Sequence, residues 1–148
     1  MDSRELIRLF EIDALPGEFH HSDHVRLAFA YLCEYEMFEA LAKFCAALKR
    51  FAAARGKTQL YNETITCAYF FLIRERMARC AGISWDDFAR RNPDLLTWKE
   101  GILSRYYCKG TLGSELARRV FVMPDRGLTA SDDFSLCGSS LEVGSNER

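Results

Sequence analysis

The run Ile65-Thr66-Cys67-Ala68-Tyr69-Phe70-Phe71-Leu72-Ile73 is apolar almost all round when wound on a helix, and no segment of the chain alternates with period two. A helix with no polar face cannot lie on a surface, so this segment is expected to be a buried central element that other helices must surround. Its predicted extent is from about Asn62 to Cys80. Arg74, Arg76 and Arg79 suit the negative end of the helix dipole, and Gly82 is placed to terminate it. The run falls far short of the ~20 apolar residues that a bilayer-crossing helix requires, so no membrane span is expected.

The flanking segments supply the surrounding helices. A first short helix is predicted over Arg4 to Glu11, stopped by Leu15-Pro16-Gly17. A second carries Val25, Ala28, Phe29 and Leu32 on one face and ends near Tyr35. A third starts around Met37, repeats Phe38, Leu41, Cys45, Leu48 and Ala52, and stops at Arg55-Gly56. The short join between these two predicts an antiparallel hairpin. Further on, Ser84-Trp85-Asp86-Asp87 reads as a capping box, with Ile83 and Phe88 as its hydrophobic staple, for a short helix to about Arg91. Asn92-Pro93 breaks that helix, and Thr97-Trp98-Lys99-Glu100 reads as a second capping box for a helix through Ile102, Leu103 and Tyr106. A last helix is predicted over Ser114 to Phe121, closed by Pro124. The expected fold is all-α: a compact single-domain bundle of about six helices over residues 1–126. Residues 127–148, rich in Ser, Gly and Asp, are expected to form a disordered tail.

Composition narrows the function classes. The chain has 148 residues, the size of one ordinary domain, with 20 basic against 21 acidic residues. Neither a basic excess nor a basic stripe interleaved with aromatics is present, so nucleic acid is not an expected partner. The start, Met1-Asp2-Ser3-Arg4-Glu5, is charged and lacks an apolar signal core, which predicts a cytoplasmic location. The six cysteines are spread along the chain without a Cys-x-x-Cys pair or zinc-ribbon spacing. They are expected to be reduced; Cys33, Cys45 and Cys67, set among apolar residues of predicted helices, would act as small hydrophobes.

All three histidines lie in Phe19-His20-His21-Ser22-Asp23-His24, at the mouth of the second helix. If that helix already includes His20, then His20 and His24 stand one turn apart on one face, a spacing by which two imidazoles grip one ion or substrate. If Ser22 or Asp23 is instead the N-cap, the two rings do not share a face. Asp23 is a candidate to orient an imidazole. Across the fold, Glu63 in Tyr61-Asn62-Glu63-Thr64 opens the buried central helix. It would meet the histidines if the second and fourth helices start at the same end of the bundle.

These two runs, together with Arg105-Tyr106-Tyr107 and Ala117-Arg118-Arg119-Val120-Phe121, resemble a family of small, mostly bacterial, all-helical proteins that is itself uncharacterised. The resemblance spans most of residues 19–126. Family members read Tyr-His-Glu-Thr where this chain has Tyr61-Asn62-Glu63-Thr64, so the resemblance implies a His-x-x-x-His pair facing a His-Glu pair. This chain departs from it at Asn62, and an asparagine amide is a poor ligand for a borderline metal.

Three functional expectations stand. One is a metal-dependent enzyme acting on a small organic molecule, with His20, His24 and Glu63 as ligands to iron, manganese or zinc and His21 as a fourth ligand or base. Another is a metal-free acid-base enzyme or small-molecule binder, in which His21 or His24 transfers protons, Glu63 orients it, and Tyr61 and Asn62 contact the substrate. The last is an interaction module in which the histidines are incidental. Self-association is left open.

Overall fold

The computed structural model describes residues 1–99 and 101–127. Among them every regular element is helical: α1 (Ser3–Glu11), α2 (His21–Glu34), α3 (Met37–Ala54), α4 (Glu63–Arg79), α5 (Trp85–Arg91), α6 (Pro93–Leu96), α7 (Lys109–Leu112) and α8 (Glu115–Arg119), with 3-10 turns at Thr58–Leu60 and Ile102–Arg105. Local chemistry sets the helix starts. The Asp2 carboxylate accepts from Glu5 N at 2.9 Å, Glu36 from Phe38 N at 3.1 Å, and Asn62 Oδ1 from Ile65 N at 2.9 Å. Ser84 Oγ accepts from Asp87 N at 3.2 Å, and Ser114 Oγ from Ala117 N at 3.1 Å. Each satisfies a backbone donor that the first helical turn leaves without a partner.

Helices α2 and α3 are joined through Tyr35 and Glu36 alone, and the expected hairpin forms. The core gathers Val25, Leu27 and Tyr31 of α2, Phe70 and Ile73 of α4, Phe88 of α5 and Leu95 of α6, all fully buried. Centrality is shared between two helices. α4 touches α2, α3 and α8, but Ile65, Phe71 and Leu72 are only half-buried, whereas α2 buries the whole run from Leu27 to Tyr31 between α1, α3, α4 and α6. The small Ala28 and Ala30 let neighbouring helices approach α2 from opposite sides.

Three stretches depart from the expected helices. Thr97 closes α6 as its C-cap residue, its hydroxyl donating back to Pro93 O at 3.0 Å, and Gly101 leads into a single 3-10 turn instead of a helix through Tyr106. Gly101 lies against Tyr69, whose hydroxyl would be 2.8 Å from any added Cβ, so this passage is shaped by contact with α4 rather than by the capping signal. The single turns α6 and α7 raise the helix number above the expected six. The last helix stops at Arg119 rather than Phe121 because the buried Thr64 hydroxyl donates to Val120 O at 2.8 Å and accepts from Val122 N at 3.0 Å. Tyr107 adds a hydrogen bond to Val122 O at 2.7 Å, and together these hold residues 120–122 extended along α4. No helix among the described residues is long and apolar enough to cross a membrane. The tail expected to be disordered lies, from residue 128 on, outside the described residues.

Candidate functional site

Three helices each turn one i, i+3/i+4, i+7 stripe toward a common space at the end of the bundle where α2 and α4 begin and α3 ends. From α2 come His21, His24, Val25 and Ala28; from α3 Phe44, Leu48, Phe51, Ala52 and Arg55; from α4 and its cap Asn62, Ile65, Thr66, Tyr69 and Ile73. They enclose a cavity of about 810 Å³, within the range of ordinary small-molecule sites. Its edge is completed by Gly17, Glu18 and Phe19, and by Lys57, Leu60 and Trp98, which are solvent-exposed and mark the rim. Gly17, at φ +82°, allows the chain to reverse between α1 and α2 and bring Phe19 over the opening.

The walls are mostly aromatic. Phe19 packs on His24 at 4.4 Å between ring centroids and on Phe51 at 4.8 Å. His21 meets Tyr69 edge-on at 4.7 Å and Trp98 at 5.1 Å. The Arg55 guanidinium lies 3.6 Å above the Phe51 ring and pairs with Asp13 at 2.8 Å, so its charge is already partnered.

The two lining histidines are held neutral. Burial lowers His24 to about 4, helped by the nearby His21 and opposed by Asp23. Burial also lowers His21, against the effect of its hydrogen bond with Leu95. His21 Nε2 lies 2.8 Å from Leu95 O. A carbonyl only accepts, so Nε2 carries the proton, and Nδ1 of the neutral ring is left as an acceptor. Tyr69 is pushed up to about 12 by burial and stays a neutral phenol.

His20 is elsewhere. It is the N-cap residue of α2, with extended backbone (φ −106°, ψ 171°), and its side chain is 67% exposed beside Glu18 and Asp23. The helical register that would align it with His24 therefore does not apply. Asp23 serves the cap, its carboxylate accepting from His20 N at 2.8 Å, rather than orienting a lining imidazole.

Glu63 also lies outside the cavity, although Tyr61 and Asn62 line it. Successive helical residues point roughly 100° apart, so the residue after the Asn62 stripe faces α3 on a different side. There Glu63 Oε2 is 3.5 Å from Lys49 Nζ and Oε1 is 3.8 Å from Cys67 Sγ. The structure thus does not bring His20, His24 and Glu63 together as a ligand set. Among the described residues, the trio whose donor atoms all lie within 4.8 Å of one another is Cys45, Glu63 and Cys67. Asn62 is occupied by the fold: besides capping α4, its Nδ2 donates to Leu112 O at 2.8 Å. Tyr61 divides the two regions. Its ring borders the cavity, while its buried hydroxyl has no hydrogen-bond partner and neighbours Cys45 and Glu63.

The Cys45 and Cys67 thiols are buried, as small hydrophobes would be, but they also stand beside a carboxylate and a phenol. Burial and the Cys45 and Glu63 neighbours push the Tyr61 phenol up. The proximity of the two thiols raises Cys67, with burial adding to it, and lowers Cys45. One signal in the sequence could have found the group: Glu63 and Cys67 on one helix, and Cys45 and Lys49 on another, are both i, i+4 pairs. Their meeting depends on the α3–α4 packing. No family model, curated protein or solved structure matches this chain.

Proposed function

We propose that the chain binds a small, largely apolar organic molecule in the cavity between α2, α3 and α4, with His21 and His24 supplying the hydrogen bonds that orient it. The observation that carries this reading is a cavity of about 810 Å³ with a mainly aromatic and aliphatic wall and two neutral imidazoles. Few polar groups on an apolar wall are what a small-molecule site requires: apolar area supplies affinity, and directional groups select orientation.

Binding is favoured over acid-base catalysis by magnitude. An imidazole with a pKa of about 4 is less than ~1% protonated at pH 7, so it has almost no acid form, and its conjugate base is weak. His21 has one nitrogen committed to Leu95 O, which favours a fixed acceptor over a proton shuttle. A metal-dependent reaction through His20, His24 and Glu63 has no support from their separation. The neutral imidazoles accept from a hydroxyl, amide or amine N–H of the ligand. The exposed Lys57 at the rim suits a ligand whose outer end is polar or anionic.

A fragment library of aromatic and aliphatic molecules, with and without a carboxylate, screened by ligand-observed NMR against the wild type and Ile65→Trp, tests the reading. Ile65 is a half-buried lining residue, and a tryptophan there fills the space. Hits that bind the wild type and lose binding in Ile65→Trp are expected. Hits that bind both equally, or a library with no hits, sink the proposal.

A further inference from the structure

Beside the cavity, on the face of α4 next to its cavity stripe, Cys45 of α3 and Glu63 and Cys67 of α4 place two sulfurs and a carboxylate oxygen within 4.8 Å of one another. The two cysteines are 8% and 6% exposed, and the carboxylate is partly buried beside them. We propose that these three residues form a binding site for a thiophilic divalent cation of the zinc type, separate from the cavity.

The donor chemistry and geometry both point this way. Two sulfurs and one carboxylate are a ligand set that zinc accepts and that hard cations such as magnesium do not favour. A tetrahedral ion with ~2.3 Å bonds to sulfur and ~2.0 Å to oxygen holds its donors roughly 3.5–3.8 Å apart. Cys67 Sγ and Glu63 Oε1 already stand 3.8 Å apart, because i, i+4 residues share one helical face. Cys45 comes from the facing helix, so closing the trio requires its sulfur to move by on the order of 1 Å, within the reach of a side-chain rotation.

Two neighbours complete the argument. Lys49 Nζ lies 3.5 Å from Glu63 Oε2, the oxygen turned away from Cys67. Oε1 is therefore free to ligate while Oε2 keeps its ammonium partner, an outer contact of the kind that orients metal-binding carboxylates. Charge balances as well: two thiolates and one carboxylate are offset by a divalent ion and the Lys49 ammonium. Next to the trio, the buried Tyr61 hydroxyl has no partner, and a water on the fourth position of the ion would supply one. Binding forms two metal–sulfur bonds and one metal–oxygen bond. The thiol protons leave to solvent, so affinity falls on acidification.

The test is a titration of the reduced full-length protein, kept under a phosphine reductant, with cadmium and then cobalt. Thiolate-to-metal charge-transfer absorbance reports ligation, and competition with a chromogenic chelator gives affinity. One equivalent bound, with tetrahedral cobalt bands, is expected. Glu63→Gln should weaken binding by on the order of 10-fold and Cys45→Ser by on the order of 100-fold or more. Cys33→Ser/Cys108→Ser, which removes two exposed thiols, should leave it unchanged. Circular dichroism of each variant separates loss of a ligand from loss of fold. Absence of a charge-transfer band in the wild type, or a band that survives in folded Cys45→Ser, overturns the proposal without reference to the variants that fail to fold.

Discussion

The two flanks of α4 hold groups of contrasting chemistry. On one, neutral imidazoles and aromatic rings border open space; on the other, two sulfurs and a carboxylate oxygen lie within 4.8 Å of one another, with an ammonium 3.5 Å from the same carboxylate. The division falls between consecutive residues, since Asn62 belongs to the cavity stripe and Glu63 to the thiol side. A turn of roughly 100° per residue is enough to send neighbours in sequence to different environments. Glu63 is therefore a poor partner for the histidines despite opening the right helix at the right end of the bundle. Tyr61 is where the two regions touch, with its ring on one side and its hydroxyl on the other.

That separation can be broken in graded ways. The largest effect is expected from Ile65→Trp, which should abolish ligand binding in the cavity while leaving the cadmium charge-transfer band intact; parallel loss of both would show that the regions are one site. Next in size is acid sensitivity. The folded chain keeps His24 neutral down to about pH 4, against 6.5 for an ordinary histidine. The unfolded state thus binds the additional proton in that window. Stability is full above pH 6.5 and is lost as pH falls toward 4, by about 3 kcal/mol, with the lowered His21 acting in the same direction. Urea unfolding of wild type and His24→Gln across this range checks it, and an unchanged pH slope in the variant would refute the assignment.

A smaller, shared effect is expected at the seam. Asn62→Ala removes the α4 cap and the hydrogen bond to Leu112 O, and should cost about 1–2 kcal/mol. Because it loosens the start of the helix common to both regions, it should weaken ligand and cadmium binding together, measured as parallel shifts in the two titrations. Smallest of all is His20→Ala. An exposed N-cap side chain should change stability by less than about 0.5 kcal/mol and leave both binding events unaltered. A large loss of either in that variant would restore His20 to the site.

Much of the fold was legible because its signals are local. The Ser84 cap with Asp87, the stop at Gly56 and the α2–α3 hairpin follow from residues a few positions apart, and the structure has each of them. Equally local signals misled where distant contacts prevailed. Thr97-Trp98-Lys99-Glu100 has the pattern of a capping box, yet Thr97 bonds backward to Pro93 O and Gly101 lies against Tyr69. Phe121 has a helical pattern, yet the Thr64 hydroxyl holds its neighbours extended. At the candidate site, the clustered histidines lie at the end of α2 where the cavity opens. Which ring enters the cavity depended on the N-cap falling at His20, one residue from where an aligned His20 and His24 would require it.

What the sequence determined by itself was the all-helical class, because a hydrophobic pattern with the 3.6-residue period can bury its apolar face only as helices, and each period is carried within one segment. What the tertiary structure alone decided was which stripes face each other. His24 meets Phe19, which in turn packs on Phe51, and Cys45 reaches Glu63 and Cys67, only after three helices have set their relative rotations. Those rotations arise from packing side chains such as Ala28, Leu48 and Ile73 at close range. No single segment contains them, since the energy that selects them belongs to contacts between segments.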